Sequence, residues 1–216
     1  MIGFYNYTVI LTYISLIISS FGISLAVTGK PYGAVLCLVA SGVCDMFDGK
    51  IARTRKESTD EERRFGIQLD SLCDIVCFGV LPAAIGVSLF DPGAFPVPHY
   101  ACRTLGALLI LCALIRLAYF NVTEETRQAT EMGRRTHYEG LPVTSDALIF
   151  PFAYLMTRLL PHPAALFVYP AFLLVTAVLF ISPIRVPKPH GRGLVFLSFI
   201  GLCELAALAC LYMGLF

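Results

Sequence analysis

Tryptophan is absent from this chain, and charge is scarce: only 14% of its 216 residues are Asp, Glu, Lys or Arg. A water-soluble domain carries about a quarter. With 57% hydrophobic residues, the deficit excludes an ordinary soluble domain and points to a bilayer as solvent. Any interfacial aromatic belt has to be built from Tyr and Phe. The formal net charge of +1 lacks the basic excess that nucleic-acid binding needs, so no nucleic-acid partner is expected. Eight cysteines are present, yet no CxxC pair occurs and no His stands in zinc-like spacing, so a disulfide framework or thiolate metal site is not expected. These cysteines sit inside apolar runs and read as small packing residues. The opening MIGFYNY lacks the basic start of a secretory signal, so the first apolar run reads as a retained span.

What is present in quantity is apolar run. A spanning helix needs about 20 such residues, and seven segments qualify: 8–29, 32–54, 66–89, 101–122, 142–161, 164–183 and 193–215. The fifth and sixth are short and separated only by Leu160-Pro161-His162-Pro163, so they also read as one re-entrant pair. No internal repeat divides the chain, and residues 1–216 are expected to form one all-α, polytopic membrane domain. With the N-terminus in the cytoplasm, all of the 16 Lys and Arg except Lys30, Arg103 and Arg158 fall on the inner side, as the positive-inside rule asks. Two inner segments are dense in charge, Thr54–Phe65 and Glu124–Glu139, and each reads as a solvated connection.

Four aspartates stand near the ends of the second and third spans. Carboxylates at membrane depth are costly and usually functional. Asp45 and Asp48 are spaced i, i+3 and Asp70 and Asp74 i, i+4, so each pair shares a helix face. Both helices meet the same loop, which brings four mutually repelling acids together at the inner surface. A hard divalent cation would relieve that repulsion, and two about 3.5–4 Å apart would suit phosphoryl chemistry. Pairing with Lys50 and Arg53 is the bland alternative. Small residues surround the acids: Gly49, Ala52 and Gly66, the last in one stripe with Asp70 and Asp74. Glycine admits close approach of a ligand to the backbone, although in membrane helices it more often serves packing. Arg53 adds a cation suited to phosphate.

Asp45-x2-Asp48-Gly49-x2-Ala52-Arg53 followed by Gly66-x3-Asp70-x3-Asp74 resembles the signature of the CDP-alcohol phosphatidyltransferase family, with all eight residues in place. One departure is visible: twelve residues, Thr54 to Phe65, separate Arg53 from Gly66, where the family usually has eight. The segments Leu69–Asp74, Phe78–Ala83, Arg116–Val122 and Gly140-Leu141-Pro142 resemble the phosphatidylserine synthase branch over residues 5 to about 150. The resemblance implies a six-helix core plus one or two extra spans, a homodimer in a prokaryotic cytoplasmic membrane, and an active site at its cytoplasmic face. It implies two Mg²⁺ or Mn²⁺ ions held by Asp45, Asp48, Asp70 and Asp74, with Asp74 as the general base. Gly49, Ala52, Arg53 and Gly66, together with Asn6 and Thr8, would meet the nucleotide. The substrates implied are CDP-diacylglycerol and L-serine, with CMP released.

The serine assignment leans on Arg116 and Asn121. Arg116 lies about one and a half turns inside the fourth span, where an Arg should face a cavity or an anion such as the serine carboxylate. Snorkelling to lipid phosphate, or a structural pair with an Asp, is the alternative. Asp146, near the inner end of the fifth span, is a candidate to line the site; Glu204, deeper in the last span, reads as a packing contact. Two rivals stay open. An inositol phosphate or glycerol phosphate acceptor would use Arg134 and Arg135. A carboxylate-site cation transporter would place its acids near the midplane on broken helices, not beside a basic loop.

Overall fold

The computed structural model describes residues 3–5, 7–52, 59–130, 137–187 and 192–215. A short 3-10 turn, Tyr7–Val9, leads into α1 (Ile10–Val27), which is followed by α2 (Pro31–Ala52). The α1–α2 corner is tight for a local reason. Gly29 takes φ +73°, the Lys30 amide donates to the Leu25 carbonyl, and Pro31 opens the next helix. A left-handed glycine after one helix and a proline at the first position of the next is how the chain stops and restarts. Gly22 lets the two helices approach, since a Cβ there would stand 2.7 Å from that of Cys37.

Helix α3 (Asp60–Asp74) begins six residues before the apolar run does. Thr59 accepts from the Glu62 amide at 3.2 Å, and Glu62 accepts from the Thr59 amide at 3.1 Å. This reciprocal cap, with Asp60, Glu61 and Glu62 in the first turn, starts the helix outside the apolar zone. Part of the segment expected as a solvated connection is therefore helical. After Asp74 the chain widens into a π-helical turn, Ile75–Val80, and continues as α4 (Leu81–Ser88). Pro82, with no amide hydrogen to give, sits at the head of α4 directly after the wide turn.

Helix α5 (Pro96–Thr130) is longer than its span and carries its last turns beyond the apolar zone. There Arg127 pairs with Glu124 at 2.6 Å, and Arg64 of α3 reaches Glu125 at 3.3 Å. Two strands unforeseen in the sequence follow: β1 (His137–Glu139) pairs antiparallel with β2 (Arg185–Pro187). Between them run α6 (Asp146–Leu159) and α7 (Ala165–Ile181), and α8 (Arg192–Tyr212) closes the chain. Gly140 has φ +75° and lies so close to the end of α7 that a Cβ would meet the Phe180 carbonyl oxygen at 2.7 Å.

Among the described residues, five helices are long and apolar enough to cross a membrane: Tyr7–Val27, Pro31–Gly49, Asp60–Ser88, Pro96–Arg127 and Gly193–Tyr212. The chain is an integral membrane protein with an all-α bundle architecture. The fifth and sixth expected spans appear as the shorter helices α6 and α7, packed on each other. The core lies among α4, α5, α6 and α7, where Phe78, Leu81, Ile85, Leu109, Phe150, Tyr169 and Leu173 are fully buried. Outward, α1 shows Ile14, Ile17 and Phe21, and α8 shows Val195, Phe196 and Phe199, an inside-out distribution suited to lipid. All eight cysteine thiols are free.

Candidate active site

Three of the four expected acids converge. One carboxylate oxygen each from Asp45 of α2 and Asp70 and Asp74 of α3 lie within 4.8 Å of one another. Asp74 is buried at 8% exposure, while Asp45 and Asp70 are half-buried. The helix spacing produces this: α2 and α3 run in opposite directions from the same charged end, and each presents one acidic face to the other. Asp48 stands beside the triad. The Thr12 side chain of α1 lies close to its carboxylate. Thr12 carries no motif, so the sequence reading passed it over; its i, i+3 relation to buried Ser15 on the α2-facing side of α1 is the only signal.

Three oxygen donors of one sign, crowded at this distance, are the donor set a hard divalent cation takes. The room around them fits as well. Added Cβ atoms at Gly49 and Gly66 would meet nothing within 4 Å, so both glycines border open space. Gly22, Gly86 and Gly106 are the opposite case, each tight against another helix. The glycines of the signature therefore leave room for a ligand, as those at the helix contacts do not.

Beneath the acids lies a buried polar seam. Ser19 and Ser41 share a hydroxyl hydrogen bond of 2.7 Å, and Ser15 donates to the Ser41 carbonyl at 3.4 Å. Ser15 also meets the Cys77 thiol at 3.4 Å, and the Cys73 thiol donates to the Thr12 carbonyl at 3.3 Å. Small polar side chains that satisfy each other let α1, α2 and the π-turn close together without stranding a donor.

Thr8 lies in the 3-10 turn that packs on α2, at the end of the bundle where the acids are. Asn121 of α5 donates to the Ser71 hydroxyl at 2.8 Å, which ties α5 to the residue following Asp70. Arg116, at 8% exposure, holds its guanidinium 5.6 Å from the Phe120 ring centroid. The Asn6 and Arg53 positions, and those of Arg134 and Arg135, lie outside the described residues, and Ala52 is described only in its backbone.

A bundle of spanning helices carries at one end a carboxylate triad that could hold a metal ion, with open space at the neighbouring glycines. The sequence model of the CDP-alcohol phosphatidyltransferases matches residues 5–184, and the chain belongs to that family. A CDP-diacylglycerol–serine O-phosphatidyltransferase of Saccharomyces cerevisiae is 36% identical over 136 residues, 61% of this chain and 46% of that protein. An archaetidylserine synthase of Methanothermobacter thermautotrophicus is 30% identical over 171 residues, 79% of this chain and 65% of that protein. A CDP-diacylglycerol–serine O-phosphatidyltransferase of Helicobacter pylori is 30% identical over 195 residues, 83% and 74% of the two chains. The matched region thus spans less than half of the yeast protein and about two thirds of the archaeal one. Helix α8 lies beyond the family match.

Proposed function

We propose that this protein transfers a phosphatidyl group from CDP-diacylglycerol to L-serine, forming phosphatidylserine and releasing CMP. The observation that carries the reading is the triad of Asp45, Asp70 and Asp74, together with the open space at Gly49 and Gly66 on the same two helices. The names of the yeast and Helicobacter pylori relatives support serine as the acceptor.

Asp45, Asp70 and Asp74, with Asp48 alongside, would hold two Mg²⁺ or Mn²⁺ ions. When bound, such ions neutralise charge on the pyrophosphate and on the leaving CMP. The chain's own groups do the rest. The Thr12 hydroxyl, close to Asp48, orients it. Gly49, Ala52 and Gly66 admit the cytidine close to the backbone, and Arg53, Asn6 and Thr8 complete the nucleotide contacts. Asp74, the most buried of the four acids, takes the proton from the acceptor hydroxyl. The freed oxygen attacks the phosphorus that bears diacylglycerol, and the bond from that phosphorus to CMP breaks. Arg116 receives the acceptor's carboxylate, and Asn121 steadies the wall beside Asp70. The site faces the cytoplasm of a prokaryotic cell, in keeping with the distribution of Lys and Arg.

The test is direct. Purified protein is incubated with CDP-diacylglycerol, Mg²⁺ or Mn²⁺ and a panel of alcohols, and CMP release is measured. Serine-dependent release that chelator abolishes is the expected result. Release with glycerol phosphate or an inositol phosphate but not with serine would overturn the acceptor and leave the family chemistry intact.

A further inference from the structure

Asp146 is the first residue of α6 and is fully buried, at 0% exposure. Neither of its carboxylate oxygens has a hydrogen-bond partner among the described residues. An acid in the first turn of a helix normally earns its place by capping free amides, but these oxygens accept from none. Burying a carboxylate without partners is among the most expensive arrangements a fold can hold. Arg116 lies near enough to act on Asp146 electrostatically, yet the Asp146 oxygens accept no hydrogen bond from it.

Both have a defined place in the bundle. Gly42 of α2 packs against the Cβ of Ala147, and the Phe78 ring borders the same spot. Gly42 precedes Asp45 by three residues, so Asp146 lies about one helical turn deeper along α2 than Asp45, at a rise of about 1.5 Å per residue. On the other side, Asn121 meets Ser71 and Gly79 approaches Ala113 and Ile110. Between those two contacts, antiparallel α5 brings Arg116 level with the π-turn, within about a turn of Asp74. One cation and one anion thus stand within electrostatic reach of each other, about a turn deeper in the bundle than the carboxylates that would activate a hydroxyl.

We infer that Asp146 receives the α-ammonium group of an amino-acid acceptor while Arg116 takes its carboxylate, so that the two side chains together select a zwitterion. This rests on the serine-transfer reading above. In serine the hydroxyl is two bonds from the carbon that carries both charged groups. With the hydroxyl at Asp74, those groups reach the layer of Arg116 and Asp146. An acceptor lacking the ammonium group leaves a buried carboxylate unanswered, and such sites reject incomplete substrates strongly. The Gly42–Ala147 packing holds α6 against α2, which keeps Asp146 from retreating when the pocket is empty.

The experiment compares L-serine, 3-hydroxypropionate (no ammonium) and ethanolamine (no carboxylate) as acceptors, by CMP release, in the native protein and in Asp146→Asn and Arg116→Ala. In the native protein, kcat/KM for serine should exceed that for 3-hydroxypropionate by about 100-fold or more. Asp146→Asn should raise the KM for serine by about 10- to 100-fold with the KM for CDP-diacylglycerol unchanged. It should lose the preference over 3-hydroxypropionate and keep that over ethanolamine; Arg116→Ala should do the reverse. If Asp146→Asn shows no thermal stabilisation by CDP-diacylglycerol, and so has not folded, Asp146→Glu takes its place and should retain the ammonium preference. Serine use with an unaltered preference in Asp146→Asn, or loss of that preference in Asp146→Glu, overturns the inference alone. A native protein that ignores serine overturns both it and the acceptor reading.

Discussion

Replacing Asp45, Asp48 or Asp70 by Asn removes one negative donor from a crowded set of carboxylates. Each variant should need about 10- to 100-fold more Mn²⁺ for half-maximal CMP release, the cost of one charge-assisted contact. Asp74→Asn should act differently, lowering kcat by about 10²- to 10⁴-fold while donor binding changes little. Full turnover in that variant would remove Asp74 from the role of base. Thr12→Val keeps the side-chain shape but removes the hydroxyl close to Asp48. A weakening of Mn²⁺ affinity by about 10- to 100-fold is expected, as for other residues that orient a ligand; unchanged affinity would make Thr12 a packing residue only. At this scale the sequence was most readable where spacing alone decides geometry. The i, i+3 and i, i+4 acids can converge only if each shares a helix face, and three of them do. Thr12 and Asp146 were not readable in the same way. Their importance comes from contacts across helices far apart in the chain, and a single Thr or Asp in an apolar run does not disclose its neighbour.

Helices α2 and α6 meet at a point with no spare room. A methyl group at Gly42 would overlap that of Ala147, and neither group can rotate away. Gly42→Ala is therefore expected to destabilise the protein by about 1–3 kcal/mol, the usual cost of overpacking, and to lower serine-dependent activity by shifting α6. Adding Ala147→Gly removes the opposing methyl and should restore both thermal stability and activity. A double variant as damaged as the single one would show that Gly42 matters for another reason. Apolar length located the helices but not their ends. Thr59 and Glu62 form a readable cap, yet hydropathy begins only at Gly66, so the head of α3 went unrecognised. The π-turn after Asp74 and the β1–β2 pairing had no signal of their own. Both depend on which backbone groups remain free once the helices have packed.

Across the whole molecule, the membrane-spanning helices and the all-α class followed from the scarcity of charge and the length of the apolar runs. Position relative to other copies did not. A homodimer in the membrane is expected. Helix α8 buries little of itself and turns Val195, Phe196, Phe199 and Leu202 outward, which suits a second chain as well as it suits lipid. Light scattering in mild detergent should give twice the 23.6 kDa chain mass after subtraction of bound detergent; an active monomer would count against it. The α6–α7 pair carries a consequence for biosynthesis. Helix α6 has 14 residues, short of what a bilayer requires, and it opens on a buried acid and contains Pro151. It is a poor candidate to leave the insertion machinery by itself. Helix α7 follows after a five-residue turn and packs along both α5 and α6. The two should therefore enter the membrane together as a hairpin, only after α5 is in place to receive them. A ribosome paused before α7 emerges should leave a chain whose first four spans are inserted and whose α6 still waits at the surface.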